Sequence, residues 1–203
     1  GNYLSDSKIK NIYYNYLKNY LMIVYENSNI DLIYSDKRVV NIPDLKNTIM
    51  MSSKSINDVV FDTDRIYVAT DFGLMIINDE KYEIYESYMY DKALTKVAIA
   101  GNTIFIVADG QLYKAAIVPG MYEFDKNWTV VDLTYQPQNF KYLYRINDDH
   151  IFLSYDEKSY VYDIEKNSFT EQTEAFAMLF YALSLTETKT GFLATFTDNI
   201  RFI

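Results

Sequence analysis

The sequence predicts an all-β chain: a partial β-propeller of about four and a half four-stranded antiparallel blades, read as a piece of a larger propeller protein. Three observations predict it. Short apolar strands of similar composition recur at a nearly constant interval. Polar turns rich in Asn and Asp separate them. No stretch carries a convincing helical period over about ten residues or more.

Five look-alike segments set the interval: residues 21–25 (LMIVY), 66–70 (IYVAT), 104–108 (IFIVA), 151–155 (IFLSY) and 191–195 (GFLAT). With Met22, Tyr67, Phe105, Phe152 and Phe192 as anchors, the spacings are 45, 38, 47 and 40 residues. Propeller blades repeat at about 40–50 residues. An all-β sandwich would also contain many short strands. Five matching anchors at blade spacing favour the propeller.

Each anchor sits in a larger unit. The first reads as strands 12–15, 21–25, 30–34 and 39–42, and its tyrosine-rich opening is the one place where helix and strand signals compete. The second reads as 57–61, 66–70, 74–78 and 82–88, and the third as 96–99, 104–108, 112–116 and 129–133. The fourth reads as 141–145, 151–155, 160–164 and 168–172. The fifth has three strands, 180–185, 191–195 and 200–203. With only 6 Gly and 3 Pro, the turns rely on Asn and Asp, which tolerate the positive φ that tight hairpins demand. The expected organisation is one incomplete propeller domain over 1–203, with blades near 1–50, 51–91, 92–135 and 136–174 and a partial blade at 175–203. The terminal strand Ile200-Arg201-Phe202-Ile203 is apolar and uncapped, an edge open to pairing with another chain.

Composition narrows the function classes. Hydrophobic residues make up 49% and charged residues 23%, the balance of a folded domain. The 21 Tyr and 12 Phe suit half-buried strand faces. A net charge of -9 with no basic run opposes nucleic-acid binding, which needs clustered Lys and Arg against phosphate. With no cysteine, disulfides and thiolate metal sites are excluded. The longest apolar stretch, 175–185, falls short of the roughly 20 residues of a membrane-spanning helix. The chain opens Gly1-Asn2-Tyr3 without an initiator Met, so its natural start is expected upstream.

Catalytic, cofactor and metal sites are all expected to be absent. His150, the only histidine, follows Asn147-Asp148-Asp149 and reads as a solvated turn residue. Asp31, Asp62, Asp64, Asp71, Asp109 and Asp156 recur in turns, where Asp serves the backbone, and no Asp box of the sialidase propellers accompanies them. Asp62-Thr63-Asp64 and Asp148-Asp149 could join a calcium site, yet nothing nearby has the ligand spacing of an EF-hand. Tyrosines are the best lead to a ligand: Tyr13, Tyr14 and Tyr16 crowd one segment and Tyr82, Tyr85, Tyr88 and Tyr90 another. Their rings either meet a partner or fill gaps between blades, and Trp128 has the same two readings. The sequence leaves the ligand-binding residues unknown.

A resemblance adds to this. Leu4-Ser5-Asp6, Ile9 and Ile12-Tyr13-Tyr14-Asn15 resemble the blade openings of the two-component-regulator propellers of Bacteroidetes. Residues 21–33 (LMIVYENSNIDLI), Val40-Asn41-Ile42-Pro43-Asp44-Leu45, Lys54-Ser55-Ile56-Asn57 and Ala69-Thr70-Asp71-Phe72-Gly73-Leu74 are similar in order and content to the N-terminal propeller of PorZ-type proteins of the type IX (Por) secretion system. The likeness is good from Leu4 to Ala115 and faint beyond Val118. It departs at Ser28, where the family favours Gly. The resemblance implies a start at the second blade and export to the periplasm or cell surface. It also implies a non-enzymatic accessory role in a complex that processes secreted cargo and attaches it to lipopolysaccharide. The implied partners are proteins, with glycan or lipopolysaccharide as a further candidate. A periplasmic ligand-sensing propeller of a hybrid two-component regulator is the alternative, and a glycan-active enzyme the third.

Overall fold

The computed structural model describes residues 4–133, 137 and 139–172, and beyond these the backbone of Ser184–Thr188, Gly191–Thr195 and Ile200–Phe202. The chain forms two compact units, residues 1–94 and 95–203.

The first unit holds two four-stranded sheets. One is built from β1 (Ile9–Asn15), β2 (Tyr20–Tyr25), β3 (Ile30–Tyr34) and β4 (Val39–Ile42), the other from β5 (Ile56–Phe61), β6 (Arg65–Thr70), β7 (Gly73–Asn78) and β8 (Glu83–Met89). A single helical turn, α1 (Asp44–Asn47), joins them. In the second unit β9 (Leu94–Ala100), β10 (Thr103–Ala108), β11 (Gln111–Ala116) and β12 (Thr129–Val130) form one sheet, with the one-turn α2 (Phe124–Asn127) before β12. The strands β13 (Phe140–Arg145), β14 (His150–Tyr155), β15 (Lys158–Asp163) and β16 (Ser168–Glu171) form the next. A three-stranded sheet of β17 (Ser184–Thr188), β18 (Gly191–Thr195) and β19 (Ile200–Phe202) follows. Every sheet is an antiparallel meander in chain order, the form of a propeller blade.

Register makes the repeat exact enough to align. The anchors Met22, Tyr67 and Phe152 pair with Tyr13, Val60 and Tyr144 of the preceding strands. A second mark recurs at the sheet ends. The N–H groups of Glu26, Asp71 and Asp156 donate to the carbonyls of Lys8, Ser55 and Asn139 at 2.9, 3.0 and 3.3 Å.

Period-2 alternation sends every second side chain of a strand to one face. In the first unit one face of sheet β1–β4 (Tyr20, Met22, Val24, Ile30, Leu32, Ile42) packs with one face of β5–β8 (Val59, Ile66, Val68, Met75, Ile77). Burial of each such side chain is worth about 1.5–3 kcal/mol. The second unit repeats the arrangement, with Phe105, Val107 and Leu112 against Leu143, Ile151, Leu153, Tyr160 and Tyr162.

The turns use positive φ as their sequences suggest. Asp109-Gly110 (φ 50° and 70°) and Asp156-Glu157 (46° and 64°) close two-residue hairpins with both central residues left-handed. At Gly73 (φ 137°) an added Cβ would stand 2.2 Å from the Tyr88 carbonyl oxygen, so the close pairing of β7 and β8 requires glycine there.

Some expectations need correction. Asp31 lies within β3, buried, and not in a turn. Tyr82 sits in the turn before β8 with φ 59° and does not open the strand. The strand expected at 129–133 is only Thr129–Val130; Val131 leaves the ladder to bury its side chain while its N–H donates to the Leu112 carbonyl at 2.9 Å. The strand expected at 180–185 runs over Ser184–Thr188, and residues 180–183 lie outside the described ones. The helical turns α1 and α2 leave no trace in the sequence, because four residues are too few to show a period. The competing helix signal in the tyrosine-rich opening resolves to strand β1.

Candidate interaction surface

Polar side chains at both ends of the first unit build the frame for whatever surface it offers. At one end Asp31, on β3, is buried among donors. Its Oδ2 accepts from the Ser5 N–H (2.8 Å) and the Tyr25 hydroxyl (2.6 Å), and its Oδ1 from the Asn41 amide (2.9 Å). The network runs outward. The Asn41 amide also donates to Asn29 Oδ1 (2.9 Å), and the Asn29 amide and Lys46 Nζ both donate to Asp6 Oδ2 (2.7 and 2.9 Å). Burial alone would raise the Asp31 carboxyl, but the hydrogen bonds from Tyr25, Ser5 and Asn41 outweigh it and hold the carboxyl below the usual range. Burial, reinforced by that carboxylate, pushes the Tyr25 phenol up.

At the other end Asp79, fully enclosed, accepts from Lys18 Nζ (2.6 Å) and the Tyr20 hydroxyl (2.8 Å) and so ties the β1–β2 turn to the β7–β8 turn. Burial opposes the charge on Lys18, and the bond to Asp79 more than offsets it, so the ammonium is held above its usual range. Nearby, Arg38 lies 3.9 Å over the Tyr34 ring and donates to the Tyr82 hydroxyl at 3.1 Å. That hydrogen bond, with one from Tyr34, holds the Tyr82 phenol below its usual range.

The two tyrosine segments divide between core and surface. Tyr13 packs into the first core, Tyr20 and Tyr90 are buried, and Tyr16 and Tyr88 are half-buried. Tyr14 is exposed with its hydroxyl on Asn19 (2.7 Å), and Tyr85 is exposed beneath Arg65, 5.3 Å from the ring centroid. Trp128 is half-buried and donates to the Tyr122 carbonyl at 3.1 Å, a bracing role for the loop that carries α2.

The remaining candidates fall at sheet ends. Asp62 Oδ1 caps the Thr63 N–H (2.8 Å), Asp71 Oδ1 accepts from the Asn57 amide (2.7 Å), and Asp156 Oδ1 accepts from the Asn139 N–H (2.9 Å). Asp64 and Asp109 stand in turns as well. Asp148 pairs with Arg145 (2.6 Å), and the Asp149 N–H donates to Asn147 Oδ1 (2.9 Å). His150 is not simply solvated: it opens β14, with Nδ1 3.1 Å from Asn147 Oδ1 and Nε2 3.5 Å from Asp163 Oδ2. Among the described residues no group of three or more acidic or histidine side chains could hold a metal ion. No helix among them is long and apolar enough to cross a membrane.

Residues 1–129, which include both polar frames, match the sequence family described as the PorZ N-terminal β-propeller domain of the type IX secretion system. The chain belongs to this family. No curated protein sequence matches it. Among solved structures, PorZ of Porphyromonas gingivalis, described as an essential surface component of that system, superposes with a TM-score of 0.80 at 24% identity. The superposition covers 98% of this chain and 26% of that one, so this PorZ-type chain spans about a quarter of the length of its relative. The β-propeller domain of Cps50 (Swd1) from Myceliophteria thermophila shares the fold, with a TM-score of 0.64 at 10% identity over 98% of this chain and 65% of that one. So does the extracellular domain assigned to the hybrid two-component system BT4673 of B. thetaiotaomicron, with a TM-score of 0.59 at 15% identity over 98% and 28%. The chain is thus a partial propeller of PorZ type, and the family match covers its first unit and continues into the second.

Proposed function

We infer that this PorZ-type chain is a non-enzymatic interaction module, an accessory part of an exported complex that secretes proteins and attaches them to the cell surface. The single observation that carries the reading is the family match over residues 1–129. Its geometry is in keeping: the buried acids Asp31 and Asp79 are fully engaged in holding sheets and turns, so their chemistry serves rigidity. On this reading residues 1–203 are one incomplete propeller domain. Its partners are proteins, with glycan or lipopolysaccharide as a second class, and its location is periplasmic or at the cell surface. The test is affinity capture of the full-length protein from envelope fractions. Recovery with other components of the secretion and attachment complex is expected; a full-length protein that binds no envelope protein contradicts it.

A sensing propeller of a two-component system is the alternative, since the fold is shared with such an extracellular domain. A membrane-spanning helix followed by a kinase in the same reading frame would favour it. A further β-domain there would favour the secretion role.

A further inference from the structure

Residues 43–55 carry the chain from β4 to β5 through α1. At the tip of this connection Ile49 and Met51 stand fully in water, 99% and 107% exposed, while no other large apolar side chain among the described residues passes 62%. Single exposed apolar side chains are ordinary on protein surfaces. These two are set apart by how firmly the loop beneath them is held. Lys54 Nζ donates to the Lys46 and Thr48 carbonyls at 2.7 and 3.1 Å, and so ties the returning limb of the loop to the outgoing one. The Thr48 hydroxyl donates to the Asp44 carbonyl and the Ser28 hydroxyl to the Lys54 carbonyl, both at 2.8 Å. Met50, between the two exposed residues, packs against the first core. The tip is therefore preformed, and covering it costs little further backbone order.

The base of the loop carries positive charge that its hydrogen bonds leave in place. Lys54 Nζ bonds backbone carbonyls, and Lys10 Nζ donates to Ser55 Oγ at 2.5 Å and to Asn57 Oδ1 at 3.3 Å, all neutral oxygens. Lys46 differs, paired with Asp6 at 2.9 Å. Within residues 43–55 the only acid is Asp44, against Lys46 and Lys54, in a chain whose net charge is -9. An apolar tip above a cationic collar matches the layering of an anionic lipid surface, with charged headgroups outside and hydrocarbon beneath. The small size of the tip points the same way. Its flanking residues, Asn47, Thr48, Ser52 and Ser53, are exposed and polar, so the apolar area falls well short of the roughly 800 Å² per partner of a stable protein interface. A fluid hydrocarbon layer needs no complementary surface around the tip.

We propose that this loop docks the protein on an anionic lipid surface: Ile49 and Met51 enter the acyl boundary, and Lys10 and Lys54 meet the headgroup phosphates. An insertion of two side chains is weak and reversible, as even a single fatty-acyl anchor is, so the loop orients the molecule at the surface and does not fix it there permanently. The proposal is independent of the secretion role and stands or falls on the behaviour of the loop at a bilayer.

The test uses the protein encoded by the full reading frame and two kinds of vesicle, one of phosphatidylethanolamine and phosphatidylglycerol at about 3:1 and one of phosphatidylcholine, each at lipid up to about 5 mM. Flotation reads the partition. Wild type is expected to float with the anionic vesicles, and at least about fivefold less with phosphatidylcholine or in about 0.5 M salt. The double variant Ile49→Ser, Met51→Ser, checked by a circular-dichroism melt, is expected to partition at least about fivefold more weakly than wild type. In Met51→Cys labelled with a polarity-sensitive dye, emission is expected to shift to the blue when anionic vesicles are added and not before, with the unsubstituted protein carried through the labelling as the blank. Wild type that stays unbound, a double variant that floats as well as wild type, or equal flotation with the two lipids overturns the proposal. So does a dye already buried without vesicles, which would assign the tip to an apolar pocket of the full protein or of a second copy.

Discussion

Replacement of Asp31 probes the first polar frame most sharply. In Asp31→Ala three donors lose their acceptor. The Ser5 N–H lies at a partly open position and can turn to water, and the Asn41 amide keeps Asn29 Oδ1 and the Ile30 carbonyl (3.0 Å). The Tyr25 hydroxyl belongs to a buried residue and loses its 2.6 Å bond. An orphaned buried hydroxyl costs about 1–3 kcal/mol, and hydrogen bonds to a charged group are worth about 1.5–3 kcal/mol each, partly recovered here. The net loss expected is about 3 kcal/mol. Asp31→Asn keeps the shape but points an NH2 group at existing donors, for a loss of about 1–2 kcal/mol. The sign of the pH effect follows from the depressed carboxyl. The folded protein binds this proton less readily than the unfolded chain, whose aspartate titrates near 3.9, so the advantage of Asp31 is complete above about pH 5 and fades as pH falls through the folded value. Urea titration followed by circular dichroism, at neutral pH and near pH 3, measures both effects. Two results would refute the reasoning: an Asp31→Ala loss under about 0.5 kcal/mol at neutral pH, or a gap between wild type and Asp31→Asn that stays constant into acid.

Gly73→Ala is expected to cost more than about 3 kcal/mol or abolish soluble expression, since the new Cβ meets backbone at 2.2 Å at a positive φ; a urea midpoint near wild type would contradict it. Ser28→Gly should change stability by less than about 1 kcal/mol: relief of the left-handed φ of 66° is offset by loss of the 2.8 Å hydroxyl bond to the Lys54 carbonyl and by a freer unfolded chain. In Arg38→Met the Tyr82 phenol should titrate at higher pH, read by ultraviolet difference spectra, because its strongest stabiliser as phenolate is gone. The double variant Ile49→Ser, Met51→Ser should leave the melting curve unmoved, as both side chains are fully exposed.

Strand order and the repeat were legible because a hydrophobic strand of five or six residues, flanked by Asn and Asp turns, leaves a period that survives divergence. The anchors Met22, Tyr67, Phe105 and Phe152 all fall on second strands of four-stranded meanders. What the sequence hid is long-range. Asp31 looks like the turn aspartates, and only the arrival of Ser5, 26 residues away, and of Asn41 makes it a buried acceptor. Asp79 carries no local signal, since its partners Lys18 and Tyr20 lie about 60 residues upstream. An acidic residue inside an apolar strand run, as in Ile30-Asp31-Leu32-Ile33, was the one available signal. His150 likewise met Asp163 only through the β14–β15 pairing. The tyrosine clusters could not be sorted from composition, because alternate residues such as Tyr13 and Tyr14 point to opposite faces.

The most direct measurement of successive blades stacked face to face is a double-mutant cycle between Tyr20→Phe and Asp79→Asn. Tyr20 lies on β2, Asp79 lies in the β7–β8 turn of the neighbouring sheet, and the two meet at 2.8 Å. A coupling energy of about 1 kcal/mol or more in urea unfolding is expected for a buried hydrogen bond to a carboxylate. Additive effects, with coupling under about 0.3 kcal/mol, would contradict the stacking of the two sheets and the propeller built on it.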